Sequence, residues 1–199
     1  MSLSLLALLS AVAIVGGLLA YMLSQKPVTT AQQLIQQQRY AEAVEEARRS
    51  GDQFHAAEAL KLSGKFVEAI EAYRRSSDPA AREGIALCLA YLLRDLDEAR
   101  RLMETQIAQY PQIQEFQSLA LAYILLQSGD RDAALRLYRD NIELLETRFH
   151  DDYTDRDPLL SETLYHFSVL ADANEEHARA DSLRRQAREW GWTIDPASS

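Results

Sequence analysis

The stretch KFVEAIEAYRRSSD (residues 65–78) decides the fold, because its pattern returns along the chain. In each copy a spacer residue is followed by an acidic or polar pair, then by an alanine, and then by apolar residues at helical spacing. The other clear copies are RYAEAVEEARRSGD (residues 39–52), DLDEARRLMETQIAQYP (residues 95–111) and DRDAALRLYRDN (residues 130–141). A pattern that returns every few tens of residues indicates an array of structural repeats.

The alanine that follows the polar pair aligns the copies. It is Ala43, Ala69, Ala99 and Ala134 in the four clear copies, and a fifth, weaker copy places Ala178 in the same role. The spacing between successive alanines grows from 26 to 44 residues, so the sequence predicts a degenerate array with repeats of uneven length. A residue as small as alanine is expected where two helices approach closely.

A second apolar helix precedes each copy, and a short turn joins the two. Ser63-Gly64-Lys65 and Ser128-Gly129-Asp130 are the clearest of these turns, since glycine permits the positive φ that ends a helix. Each repeat is therefore predicted to be a helix hairpin. One hairpin of this size cannot bury its apolar face alone, so neighbouring hairpins are expected to stack into a solenoid.

These residues resemble the tetratricopeptide-repeat (TPR) family over roughly residues 30–190. The positions that carry the resemblance are Ala57, Leu60, Gly64, Phe66, Ala69, Ile70, Tyr73 and Pro79 in the second copy, and Leu121, Ala122, Gly129, Ala134, Leu135 and Tyr138 in the fourth. The predicted fold class is all-α, with an N-terminal single transmembrane helix followed by a TPR-like α-solenoid of about five irregular helix hairpins. The layout resembles that of bacterial membrane-anchored TPR proteins.

Composition agrees with a helical, packed chain. Of 199 residues 47% are hydrophobic, and only 7 are glycine and 5 proline, which favours helices over closely spaced strands. The formal charge of −9 argues against a nucleic-acid partner, because phosphate binding needs clustered lysine and arginine. The single Cys88 cannot form an intramolecular disulfide or supply a cysteine-rich zinc site.

The N-terminal segment contains no charged side chain before Lys26, and residues 3–23 are long enough to cross a bilayer. A membrane anchor, a cleaved signal peptide and a buried core helix are the three alternatives. The anchor is preferred, because a signal peptide would begin with a positive charge and end in a small-residue cleavage site. The membrane is thus a predicted partner through residues 3–23.

The predicted organisation is an anchor at residues 1–25, a connector at residues 26–30, a solenoid at residues 31–192 and a tail at residues 193–199. Lys26 and Arg39 follow the apolar segment, which favours the solenoid on the cytoplasmic side. The predicted location is a single-pass protein of a bacterial inner membrane. Trp190 and Trp192 are expected to cover the last apolar surface of the array.

No pattern of an enzyme, cofactor or metal site is found in the sequence. Counted from Asp151, an EF-hand loop would have Tyr153 at its third position and Arg156 at its sixth, where an oxygen ligand and a glycine are needed. The four histidines lie far apart, without the close spacing of zinc enzymes. We therefore predict no catalytic residue, no metal, no cofactor and no small-molecule substrate.

Two helices, at residues 85–93 and 119–126, are apolar nearly all round. They form either a buried core or part of a concave binding groove. In TPR proteins the first helix of each hairpin lines that groove, and this resemblance implies nine groove residues here. They are Arg82, Ile85, Leu89, Phe116, Leu119, Tyr123, Leu160, Thr163 and Phe167.

An apolar groove suits an amphipathic helix or an extended peptide of another protein. The sequence therefore predicts a membrane-anchored protein–protein interaction scaffold or adaptor, which recruits a peptide or helix of a membrane complex or its assembly machinery. The alternative is a permanent accessory subunit of a larger membrane protein complex.

Overall fold

The computed structural model describes residues 29–111, 114–151 and 158–194, and this part of the chain is helical throughout. Its ten helices are α1 Thr30–Gln36, α2 Tyr40–Ser50, α3 Gln53–Leu62, α4 Phe66–Arg75, α5 Ala81–Tyr91, α6 Leu96–Gln109, α7 Gln114–Gln127, α8 Arg131–Asp151, α9 Pro158–Ala173 and α10 His177–Glu189. They pair in chain order into five hairpins, so the predicted all-α array of hairpins is confirmed.

The hairpins stack with an inner and an outer layer. Helices α1, α3, α5, α7 and α9 are the inner helices, and each packs against the next inner helix along the chain. The outer helices α2, α4, α6, α8 and α10 pack against the inner helix of their own hairpin, and α2, α4, α6 and α8 also against that of the next. Each apolar face is thus covered by a neighbouring hairpin, as the repeat pattern requires.

The inner layer closes on itself, because α9 also packs against α1. The C-terminal segment strengthens this closure. A Cβ atom added at Gly191 would lie 2.7 Å from Nε2 of Gln38, so this segment presses against the turn of the first hairpin. The five inner helices therefore surround a common axis.

Every outer helix begins three residues before a fully buried alanine. The first residues are Tyr40, Phe66, Leu96, Arg131 and His177, and the alanines are Ala43, Ala69, Ala99, Ala134 and Ala180. The predicted role of Ala178 is wrong, because this residue is exposed and Ala180 occupies the close helix contact. The first four alignments are confirmed.

All five hairpins turn in the same way. The backbone is left-handed at Gly64 (φ 77°) and Gly129 (φ 86°), as the sequence predicts. In the other hairpins the same position is held by Gln38, Leu93 and Glu175. In each turn the N–H of the following residue donates to the carbonyl five residues earlier, the 6→1 bond of a Schellman motif; for Arg94 and Leu89 it is 3.0 Å. Three turns thus keep the geometry without glycine.

The predicted transmembrane helix is corrected. None of the helices at residues 30–109, 114–151 and 158–189 is both long and apolar enough to span a bilayer. The predicted fold class and single-pass location both depend on such a helix, and this finding contradicts them. The predicted span at residues 3–23 lies outside the described residues, as do residues 152–157 of the acidic stretch considered as a metal loop.

Candidate functional site

A cavity of about 290 Å³ lies between the inner helices and is partly open to solvent. We call it the axial cavity. Each of the five inner helices contributes to its wall, so it belongs to the closed layer as a whole. Its lining comprises Gln32, Phe54, His55, Glu58, Lys61, Ala80, Glu83, Gly84, Leu87, Phe116, Ala120, Glu162, Thr163 and His166.

A buried ion pair joins α3 to α9 at the wall of this cavity. Nζ of Lys61 lies 2.6 Å from Oε2 of Glu162 and 3.4 Å from Oε2 of Glu58, and all three residues are less than 9% exposed. Burial alone would lower the pKa of Lys61, but the two carboxylates outweigh it and raise the pKa. Lys61 therefore remains an ammonium held between two acidic side chains.

Tyr91 extends this network across α5. Its Oη donates to Oε1 of Glu162 at 2.6 Å and lies 2.6 Å from Nε2 of His166. Since a phenol carries one hydrogen, Nε2 of His166 must be the donor to Tyr91. Burial, with a smaller contribution from Lys61, lowers the pKa of His166 to about 3, so the imidazole is neutral.

At the other end of the network, the Oη of Tyr73 on α4 donates to Oε1 of Glu58. The ring of Tyr73 rests on Gly84 of α5, where an added Cβ would collide with it. Burial first, and then Glu58, raise the pKa of this phenol, so it stays protonated and continues to donate. We call the set Glu58, Lys61, Tyr73, Tyr91, Glu162 and His166 the axial network.

Aromatic rings fill the axis beyond this network. The ring of Tyr123 stacks on His166 with centroids 4.4 Å apart, and Trp192 stacks on Tyr165 at 5.2 Å. Trp192 also lies 5.8 Å from Tyr91. Trp190 and Trp192 are both buried, but Trp192 packs on the axis against the third hairpin and does not only cover the last apolar surface, as was predicted. These rings pack next to His166, which lines the axial cavity, and we call them its aromatic floor.

Glu83 differs from the other two carboxylates of the axial cavity. Within the described part of the chain no cation pairs with it, and its Oε2 accepts a long hydrogen bond of 3.3 Å from Nε2 of Gln117. Burial raises the pKa of Glu83, because desolvation outweighs the attraction of Lys61. The Oε1 of Gln117, a residue 1% exposed, has no hydrogen-bond partner among the described residues.

Phe54, His55 and Phe116 form a half-buried part of the wall. His55 is held at the start of α3, where its Nδ1 lies 2.6 Å from Oδ2 of Asp52. A proton on His55 would thus be balanced by Asp52. The two phenylalanines give the cavity apolar walls beside its carboxylates.

The predicted groove residues lie on several sides of the inner helices. Phe116 and Thr163 line the axial cavity, and Tyr123 contributes to its aromatic floor. Arg82 is exposed and donates to Gln109 of α6, whereas Phe167 packs against Tyr138 of α8. The remaining four lie in or against the hydrophobic core, namely Ile85, Leu89, Leu119 and Leu160. Peptide binding by these nine residues stays a prediction.

The sequence prediction missed the charged part of the site. Glu58 and Lys61 lie in the stretch AAEALKL (residues 56–62), and Glu162 lies in LLSETLYHF (residues 159–167). A charged residue inside an otherwise apolar helix is rarely buried unless it is paired. These three positions were therefore detectable as candidates for a buried ion pair, although their pairing across the fold was not.

No family model matches the sequence, and no curated protein matches it. Among solved structures, the chain is similar to one described as "MamA RS-1 ArsTM double mutant". The two sequences are 14% identical, and the match covers 80% of this chain and 89% of the other with a TM-score of 0.48.

Proposed function

We propose that the hairpin array is a protein–protein interaction module that binds a peptide or helix of a partner protein at the open side of the axial cavity. The observation that supports this proposal is the cavity itself, which combines charged and aromatic side chains from neighbouring inner helices. Side chains held by several packed helices form a rigid binding surface. Such a surface suits recognition of another protein chain.

The size of the cavity favours a side chain over a free small molecule as its occupant. Pockets for small ligands range from about 300 to 1,000 Å³ and bury most of the ligand. The axial cavity has about 290 Å³ and is partly open, which places it at the lower limit of that range. One long side chain projecting from a bound peptide would fill it.

We also propose that the site is not catalytic. Cys88 is fully buried, and burial raises the pKa of its thiol, which disfavours the reactive thiolate. His166 has a pKa of about 3 and a short hydrogen bond to Tyr91, so it is poorly suited to act as a general base near neutral pH. These features support a binding module.

Site-specific photo-crosslinking tests the proposal. A photoreactive phenylalanine analogue would replace Phe116 at the cavity wall in the full-length chain, and Val67 in a control. Val67 is 50% exposed on the outer helix α4, so it reports contacts that do not depend on the cavity. We expect discrete protein adducts at position 116 and none of the same mass at position 67.

The same adducts at both positions, or no adduct at position 116, would contradict a binding site at the axial cavity. Adding an excess of the unlabelled chain before irradiation then distinguishes two kinds of module. An adaptor exchanges its partner and loses the adduct, whereas a permanent subunit retains it.

A further inference from the structure

The charges on the wall of the axial cavity do not balance. Three carboxylates line it, those of Glu58, Glu83 and Glu162, against the single ammonium of Lys61. His166 is neutral and His55 is paired with Asp52, so neither histidine supplies a free positive charge. The cavity is therefore one positive charge short even if one of its carboxylates is protonated.

Among the described residues, Glu83 is the lining carboxylate that has no cation beside it. Lys61 lies between Glu162 and Glu58, at 2.6 and 3.4 Å, and these two carboxylates also accept hydrogen bonds from Tyr91 and Tyr73. Within the described part of the chain, Glu83 accepts only the long hydrogen bond from Gln117. Glu83 is partly buried, and its raised pKa reflects the cost of desolvating a carboxylate.

A second polar atom beside Glu83 also lacks a partner. The Nε2 of Gln117 donates a hydrogen bond to Glu83. Its Oε1 is buried and accepts no hydrogen bond within the described residues. A buried acceptor without a donor is unusual in a folded protein. Glu83 and Gln117 therefore offer acceptors that no donor of the described residues satisfies.

The aromatic walls suit a cation on an apolar stem. Phe54 and Phe116 both line the cavity. Lysine and arginine bury their methylene groups against apolar surfaces and place their charge beside a carboxylate or over an aromatic face. A partner with an acidic side chain would instead meet an excess of negative charge.

We propose that the axial cavity binds a lysine or arginine side chain of the partner peptide, with Glu83 as the carboxylate that receives it. The inference rests on the proposed function, because it names the chemistry of the residue that the interaction module recognises. The cationic head lies at Glu83, and the stem lies between Phe54 and Phe116. The ion pair of Lys61 stays intact and shapes the cavity from behind.

A peptide library tests this specificity with the full-length chain. The probe is a set of nonapeptides that are randomised except for one fixed central residue, which is norleucine or one of the twenty standard amino acids. We expect lysine and arginine at the fixed position to bind at least tenfold more tightly than glutamine or norleucine, since a charge-assisted hydrogen bond is lost in those peptides.

The variant Glu83→Gln keeps the shape of the side chain and removes its charge. We expect it to bind the lysine and arginine peptides about tenfold more weakly and to leave the glutamine and norleucine peptides unchanged. The matched control is Glu68→Gln on the outer helix α4, where Glu68 is exposed. It changes the net charge by the same amount, so it controls for general attraction of basic peptides by an acidic protein.

A preference for basic residues that survives in Glu83→Gln, or that is lost equally in Glu68→Gln, would overturn the inference. So would binding without any preference at the fixed position, or binding of no peptide at all. If photo-crosslinks still form at position 116 in any of these cases, the proposed function stands and only the recognised residue is wrong. If both experiments fail, the binding module itself is excluded.

Discussion

The layer between inner and outer helices and the axis of the array are both buried, but they are built from different chemistry. Between the layers the contacts are made by alanines, by aliphatic residues and by aromatic pairs such as Tyr138 and Phe167, and they join helices that are neighbours along the chain. On the axis the contacts are made by charges and aromatic rings. Lys61 and Glu162 meet there across 101 residues of sequence.

The apolar layer between the helices belongs to the repeat, whereas the axial network distinguishes this chain. The apolar layer recurs in every hairpin, because each hairpin must solve the same packing problem with its neighbour. Among the described residues the buried ion pair of the axial network occurs once, although its Tyr73 has an equivalent in Tyr138 of the fourth repeat. Substitutions on the axis are therefore expected to act strongly, and those in the hairpin turns weakly.

The largest effect is expected from Lys61→Met. The change leaves Glu58 and Glu162 buried without their cation. Removing one partner of a buried ion pair lowers the free energy of unfolding by about 3–5 kcal/mol. Urea unfolding measures the loss, with Arg100→Met as the control. Arg100 lies 2.8 Å from Glu104 in an exposed pair, so its loss is expected to cost less than about 1 kcal/mol. If both variants lose a similarly small amount of stability, the axial ion pair does not contribute more to stability than an exposed pair does.

The next effect concerns pH. His166 is neutral in the folded protein with a pKa of about 3, against 6.5 for an ordinary histidine, so the unfolded chain binds more protons between these values. Stability should therefore fall as the pH falls through this window, by about 3 kcal/mol from pH 7 to pH 4.

This pH dependence is measured by denaturant unfolding of the wild type and of His166→Gln, in which the contribution disappears. If wild type and His166→Gln lose the same stability on acidification, His166 is not the neutral, buried group described above.

A smaller effect tests the apolar layer and its register. Ala180 is fully buried at the start of α10, whereas Ala178 is exposed. Ala180→Leu should destabilise the fold by about 2 kcal/mol through overpacking, and Ala178→Leu by less than about 0.5 kcal/mol. Thermal unfolding measures both variants. If Ala178→Leu lost more stability than Ala180→Leu, Ala178 would be the residue at the close helix contact.

The smallest effect is expected in the turns. Leu93 has a left-handed backbone (φ 50°) and a side chain that is 62% exposed, so Leu93→Gly should stabilise the protein by about 0.5–1 kcal/mol. Gly129→Ala should destabilise it by about 1 kcal/mol, although nothing lies within 4 Å of the added Cβ. Unfolding midpoints that move in the same direction for both variants would contradict a shared turn geometry.

The hairpins could be predicted from the sequence because their causes are local. Ala69 and Gly64, for example, mark a helix contact and a turn within a few residues of each other. The alignment of the fifth copy was wrong because its pattern is weak. Ala178 was chosen there, although Ala180 two residues later has an equally small side chain. The three turns without glycine carry no local signal, since Gln38, Leu93 and Glu175 owe their conformation to the hairpins they join.

The candidate site was only partly predictable because its causes are not local. Phe116 and Thr163 were identified through the TPR resemblance, which gives the inner helices but not their rotation about the axis. Rotation depends on how tightly the inner layer closes. That closure brings Glu162 to Lys61. The local patterns of a single sequence do not reveal which distant helix faces will meet.

The packing of α9 against α1, together with the contact of Gly191 with Gln38, has a consequence for folding. An open repeat array has free ends, and its stability is a sum of repeats and their nearest-neighbour interfaces, so it can unravel one repeat at a time. In this protein the first and last hairpins pack against each other, so each stabilises the other. We therefore expect the described hairpins to unfold in one cooperative transition.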